Sequence, residues 1–178
     1  MDQNGRADVL SLFRWAGGHA DVWRVFADGS ALRHVVAGLA DPWRDAGVTA
    51  VVGIESRGFL LGAAVAVELG VGFVGIRKGG GLFPGPKATV VTDVDYRGHR
   101  HQLRMQRVVG TDDRMLLVDD WAERGSQARA ARQLVESCGA RFLGLSVVVD
   151  QLDPTTDPGL GRVTSLVRAE ELGDPDVT

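Results

Sequence analysis

One stretch fixes more about this chain than any other. Met115-Leu116-Leu117-Val118 runs without a polar residue into Asp119-Asp120. Trp121-Ala122-Glu123-Arg124-Gly125-Ser126-Gln127-Ala128 follows and leads into an amphipathic run. Four apolar residues in a row read as a buried strand, and the run after the Gly and Ser reads as a helix. A strand that ends in two acids and turns into a helix N-terminus brings two chemistries together. Carboxylates accept hydrogen bonds from a sugar diol or hold a hydrated Mg²⁺. The unpaired amides of a loop and first helical turn hold a phosphate. A sugar phosphate satisfies both.

The same alternation recurs along the chain. Val48 to Ile54 is a short β-branched strand, and Glu55-Ser56-Arg57-Gly58 turns it into a helix from Phe59 to Leu69 that Gly70 closes. Val71 to Ile76 is the next strand, followed by a loop from Arg77 to Gly85 with four Gly and a Pro. Short strands are expected near Thr89–Thr92 and Leu103–Met105. Arg114–Asp119 is the third core strand, Gln127–Cys138 a helix, Arg141–Val149 a fourth core strand and Val163–Val167 an edge strand. Before them, Asp28 or Ser30 caps a helix through Leu32, Val35, Val36 and Leu39, with Pro42 and Gly47 near its end. Residues 1–27 show no clean period and read as an irregular segment anchored by Phe13, Trp15, Trp23 and Phe26.

This order predicts an open, mainly parallel α/β sheet with helices on both faces, in one domain of 178 residues. A hood from about 1–27 and a tail from about 150–178 would flank it. Ligands in such sheets sit beyond the carboxyl ends of the strands, where strand order reverses. Those ends carry Glu55-Ser56-Arg57, Arg77-Lys78, Asp119-Asp120 and Asp150. The ring has anionic and cationic parts on different loops, as a ligand with a diol and phosphates requires.

Other classes are poorly supported. The net charge of −3 argues against a general nucleic-acid or anionic-membrane binder. Cys138 is a lone cysteine, read as a helix residue facing the core, so no internal disulfide exists. The polar N-terminus does not read as a signal peptide, and the Gly58–Ile76 tract is broken by Glu68, so a cytoplasmic protein without a membrane span is expected. Neither a dinucleotide fingerprint, a P-loop, a zinc motif nor a Gly-x-Ser-x-Gly elbow is present; His99 and His101 read as loop residues. Arg is abundant, whereas Lys occurs only at Lys78 and Lys87, within one Gly/Pro-rich loop. Lys is a compact charge suited to polyphosphate oxygens.

Val52-Gly53-Ile54-Glu55-Ser56-Arg57-Gly58-Phe59-Leu60-Leu61-Gly62, then Glu68 to Phe73, Ile76-Arg77-Lys78 and Pro84-Gly85-Pro86 resemble the adenine phosphoribosyltransferase family. The resemblance spans roughly residues 19–150. It implies displacement at ribose C1 of 5-phosphoribosyl pyrophosphate: pyrophosphate leaves, a purine-type base attacks, and the transition state is oxocarbenium-like. Mg²⁺ is the implied cofactor, bound through the pyrophosphate substrate and by Asp119 and Asp120. Residue by residue, the resemblance places Asp119 and Asp120 on the ribose hydroxyls. Ala122, Glu123, Arg124, Gly125, Ser126 and Gln127 fall on the 5′-phosphate. Ser56, Arg57, Arg77, Lys78, Lys87 and Tyr96 fall around the pyrophosphate. His19, Ala20, Asp21 and Val25 fall in the hood over the base. Asp95 and Asp120 are the implied catalytic carboxylates, with Asp95-Tyr96 on a loop that closes over the reaction. Family members are typically homodimers, and Trp15 and Trp23 are candidate interface residues.

The chain departs from the family at its pockets. Glu123-Arg124-Gly125-Ser126-Gln127 stands where the family reads Ala-Thr-Gly-Gly-Thr. Gly81 replaces a Lys, Asp95 a Glu, and His19-Ala20 a Phe-Arg pair. Two readings follow: a transferase for a different acceptor base, or a catalytically decayed binder of phosphoribosyl pyrophosphate or nucleotide acting through a protein partner.

Overall fold

The run Ala50–Ile54 forms the middle of the molecule, as its lack of polar residues requires. The computed structural model describes residues 3–80, 83–92, 100–153, 155 and 159–173. The chain opens with α1 (Gln3–Leu12), a hairpin of β1 (Arg14–Ala16) and β2 (His19–Asp21), α2 (Trp23–Ala27) and α3 (Gly29–Ala40). It continues through β3 (Ala50–Ile54), α4 (Arg57–Leu69), β4 (Gly72–Lys78), β5 (Lys87–Val91) and β6 (Gln102–Gln106). It ends with β7 (Arg114–Ala122), α5 (Ser126–Ser137), β8 (Arg141–Asp150) and β9 (Arg162–Arg168).

Seven strands form one sheet in the order β5-β6-β4-β3-β7-β8-β9. Five are parallel, and β6 and β5 add to one edge antiparallel. Strand β3 is flanked by β4 on one side and β7 on the other, so connections leave it in opposite directions. That is the topological switch point where a crevice opens in such sheets. Every side chain of β3 is buried because helices or strands cover both faces.

One core lies beneath α1, α3 and α4 and holds Val35, Leu39, Trp43, Leu61, Val65 and Leu116. The other lies beneath α5 and holds Met115, Leu117, Ala131, Leu134, Leu145 and Val147. Asp28 caps α3, accepting from the Ser30 and Ala31 amides at 2.9 Å each.

The N-terminal segment is more regular than its sequence suggests. It carries a helix, a hairpin and a second short helix. The hairpin turns on Gly17 and Gly18, both at positive φ, the requirement of a tight two-residue turn. Helix α1 was illegible because Val9 and Phe13 gain burial only by packing with Val35 and its neighbours on α3. Trp15 is half-buried, not an open interface residue. It meets Phe13 edge-on at 5.2 Å, and its indole donates to the Leu172 carbonyl at 3.1 Å. Trp23 is the exposed one, at 51%. The C-terminal segment is part of the main sheet through β9, rather than only a tail.

Candidate active site

The crevice is shaped first by glycines. A Cβ on Gly53 of β3 would stand 2.1 Å from the Gly58 carbonyl oxygen, and one on Gly58 would stand 3.0 Å from Asp119 Oδ1. Their absence lets the first turn of α4 pack against both β3 and the acids at the end of β7. Between strand and helix, the Glu55–Ser56 peptide is cis. The turn sets Ser56 and Arg57 beside the acid pair.

Asp120 is buried, at 6% exposure, and Asp119 is half-buried. The Asp120 amide donates to Asp119 Oδ1 at 2.9 Å. Arg57 Nε lies 2.9 Å from Asp120 Oδ2, so the α4 guanidinium neutralises the deeper carboxylate. Burial pushes the Asp119 carboxyl well above the ordinary carboxylate range, and the neighbouring charge of Asp120 pushes in the same direction; Lys78 pulls against both. The pair thus holds one carboxylate matched by a guanidinium and one that ionises reluctantly. A cation or a hydroxyl donor brought by a ligand would relieve it.

Strand β7 ends at Ala122, whose carbonyl accepts from the Gln151 amide at 2.8 Å. Glu123 is half-buried and Arg124 exposed. Gly125, at φ +70°, turns the chain into α5. The Ser126 side chain is buried, and α5 has no side-chain cap. Among the described residues no protein group accepts from the amides of Ser126, Gln127 or Ala128. These are the orphan donors of a helix N-terminus, and they face the same cavity as the acids.

That cavity measures about 670 Å³. Of the residues singled out in the sequence, Ser56, Arg57, Lys78, Asp119, Asp120, Ala122 to Gln127, His19 and Ala20 line it. Four others lie elsewhere. Arg77 Nε pairs with Glu55 Oε2 at 2.7 Å, and Lys87 is exposed on β5. Asp21 pairs with Arg24 at 3.1 Å, and Val25 is buried in the core because α2 turns it inward. Asp95, Tyr96, Gly81 and His99 lie outside the described residues. Glu55, expected in the ring of strand ends, also lines the cavity, whereas Trp15, Trp23, Trp121 and Gln151 on its wall were not foreseen as ligand-facing. Trp121 carried a signal, standing directly after the acid pair; Gln151 carried only its place at the carboxyl end of a core strand.

Among the described residues no cluster of three or more His, Cys, Asp or Glu side chains forms a metal cage. Two carboxylates beside an open cavity suit instead a Mg²⁺ that arrives on a polyphosphate and keeps much of its water.

No protein-family model matches the chain. An adenine phosphoribosyltransferase from a Nocardioides species is 42% identical over 135 residues, 73% of this chain and 71% of the relative. One from Methylococcus capsulatus is 39% identical over 130 residues, 73% of this chain and 75% of the relative. Among solved structures, the Giardia lamblia adenine phosphoribosyltransferase in complex with 9-deazaadenine superimposes with a TM-score of 0.83 at 31% identity. The match covers 92% of this chain and 97% of that one. At these identities, and over these shares of both chains, the chain belongs to the adenine phosphoribosyltransferase family.

Proposed function

We propose that this protein transfers 5-phosphoribose from phosphoribosyl pyrophosphate to a purine base, with adenine as the first acceptor, and releases pyrophosphate. One observation carries the reading: two adjacent carboxylates and an unoccupied row of helix amides share a single cavity. Asp119 and Asp120 accept hydrogen bonds from the ribose diol. The amides of Ser126 to Ala128 and the Ser126 hydroxyl hold the 5′-phosphate. Ser56, Arg57 and Lys78 face the pyrophosphate from the opposite flank.

In the reaction the bond from C1 to the pyrophosphate oxygen breaks, and a bond from C1 to a base nitrogen forms. The base surrenders the proton of that nitrogen to the departing pyrophosphate, which also takes the electron pair of the broken bond. Positive charge gathers on the ribose between these events. The acid pair stabilises it electrostatically, and Arg57 keeps Asp120 from repelling the incoming anion. Asp119 and Asp120 would hold Mg²⁺ together with the substrate, and the ion would supply charge neutralisation of the leaving pyrophosphate. Asp95 is the proposed second carboxylate of the reaction, on the basis of the family resemblance alone.

The protein in this reading works in the cytoplasm as a homodimer. Leu60 and Val67, exposed at 41% and 82% on α4, supply apolar surface for self-association. Among the described residues no helix is long and apolar enough to cross a membrane. The test is to mix protein, phosphoribosyl pyrophosphate, Mg²⁺ and adenine and follow pyrophosphate release and AMP formation together. Stoichiometric appearance of both supports the reading. Tight binding of phosphoribosyl pyrophosphate with no turnover of adenine, hypoxanthine or guanine refutes it in favour of a binder.

A further inference from the structure

Beyond the acid pair, the cavity wall contains two residues that face each other across neighbouring strands. Trp121 follows Asp120 on β7, and Gln151 follows the last residue of β8. The strands are held in step there: Trp121 pairs with Val149, Ala122 with Asp150. The Trp121 indole donates to Gln151 Oε1 at 2.8 Å. An indole nitrogen can only donate, so the amide atom facing it is the oxygen. The carboxamide is thereby oriented, and its two N–H donors point away from the indole. Both residues border the cavity.

The indole is itself held in place. Trp15 packs on it at 6.0 Å and Phe13 at 6.2 Å, and Trp15 is tied by its own indole to the Leu172 carbonyl. The result is a flat apolar wall beside one donor of fixed polarity. A freely rotating carboxamide turns either its oxygen or its N–H groups to a ligand; one locked by an indole at its oxygen presents its N–H donors to the cavity and reads acceptors there.

Its location fits one part of the proposed ligand. The sheet order β4-β3-β7-β8 puts Lys78, Ser56 and Arg57 on one flank of the acid pair and Gln151 on the other. Displacement at ribose C1 needs the leaving pyrophosphate and the attacking base on opposite sides of that carbon. If the cations take the pyrophosphate, the Trp121–Gln151 flank is left for the base.

We infer that Gln151 is a specificity-determining residue for the acceptor base: with the heterocycle against the Trp121 indole, Gln151 Nε2 donates to one of its ring nitrogens. The identity of the ligand rests on the transferase reading above; the polarity of the amide does not.

The test measures calorimetric binding of AMP and its 1-deaza, 3-deaza and 7-deaza analogues to the parent, Gln151→Leu and Gln151→Glu. Replacing the contacted nitrogen weakens binding to the parent by about 2- to 12-fold, the worth of one net hydrogen bond. Gln151→Leu loses a similar factor for AMP, and then suffers no added penalty from that one analogue. Gln151→Glu still accepts the indole N–H but turns a donor into an acceptor. It weakens AMP by about tenfold or more and leaves the affinity for phosphoribosyl pyrophosphate within about twofold. Trp121→Phe keeps a ring but frees the amide, and weakens AMP less than Gln151→Glu.

Three results overturn the inference: analogue penalties identical in the parent and Gln151→Leu, equal loss for AMP and phosphoribosyl pyrophosphate, or failure of the parent to bind any of the four nucleotides. The two readings fail separately. Coupling between Gln151 and one ring nitrogen, with no base turned over, sinks the transferase and keeps the subsite. Turnover of adenine by Gln151→Leu with the parent's KM for base sinks the subsite and keeps the transferase.

Discussion

Replacing Gly58 with Ala isolates the acid pair from the rest of the fold. Gly58 is the second residue of α4 and is buried. Its added Cβ would meet Asp119 Oδ1 at 3.0 Å, the Val118 carbonyl oxygen at 3.2 Å and Asp119 Cγ at 3.3 Å. Backbone resists, so the side chain gives way and the Asp119 carboxylate swings by a few tenths of an ångström or more. Stability should barely change, because Ala is favoured over Gly in a helix by about 0.5–1 kcal/mol and this offsets the tight contact. The melting temperature should then stay within about 4 °C. Ligand affinity should not. A carboxylate hydrogen bond to a ribose hydroxyl is worth about 1.5–3 kcal/mol, so its loss weakens phosphoribosyl pyrophosphate by about ten- to a hundredfold. Calorimetric titration with Mg²⁺ present and a thermal melt on the same sample read both quantities. Unchanged affinity at unchanged stability would refute the placement of Asp119 on the ligand. A fall in melting temperature beyond about 10 °C would refute the claim that the carboxylate is what yields.

Three further outcomes follow from the same geometry. The Asp119 carboxyl ionises harder in the folded chain than at its unfolded value of 3.8, so the parent loses stability as pH rises from about 4 through the folded pKa and is level above it. Asp119→Asn should remove that slope, melt above the parent at neutral pH, converge with it below pH 4 and lose phosphoribosyl pyrophosphate binding; parallel melting curves from pH 3 to 8 would contradict this. Arg57→Ala leaves the buried Asp120 without its cation; because the guanidinium is about one-third exposed, the cost in urea denaturation should be about 1–2 kcal/mol rather than that of a fully buried pair, and pyrophosphate affinity should fall more than AMP affinity. Gly125→Ala forces a side chain into φ +70° at a cost of about 1–2 kcal/mol, so the melting temperature should drop by about 2–8 °C and 5′-phosphate binding should weaken; a melt at the parent's temperature would count against the turn.

What the sequence made legible was whatever local physics decides. Ala50–Ile54 and Met115–Val118 are apolar on both faces and have no other place than the middle of a covered sheet. Their carboxyl ends, and hence the acids, follow directly. What stayed hidden depends on partners distant in the chain. Helix α1 is amphipathic only in relation to α3. Arg57 was legible as a residue of the ligand crevice, but not the pairing of its Nε with Asp120 from another strand. Val25 looked like a base contact from its place in the chain, but α2 turns it into the core. Trp121 was visible as a residue, whereas its hydrogen bond to Gln151 exists only because β7 and β8 are neighbours.

The altered phosphate loop is the sharpest case of sequence and structure weighing the same residues differently. Compared side chain by side chain, Glu123-Arg124-Gly125-Ser126-Gln127 keeps a single residue of the family pattern. The donors to a phosphate here are backbone amides, which every residue but Pro supplies. The one retained glycine is also the one the backbone requires, since Gly125 alone in the run has positive φ. Ser126, in place of the second glycine, is the first residue of α5 at ordinary helical φ, and it adds a buried hydroxyl at no conformational cost. The loop therefore keeps the helix N-terminus and unpaired amides that the proposed phosphate contact needs, while changing what surrounds them. The half-buried Glu123 is the substitution that alters the field. A carboxylate there disfavours excess negative charge at the loop, which argues that any weakening shows first as reduced affinity for the 5′-phosphate and not as loss of the fold.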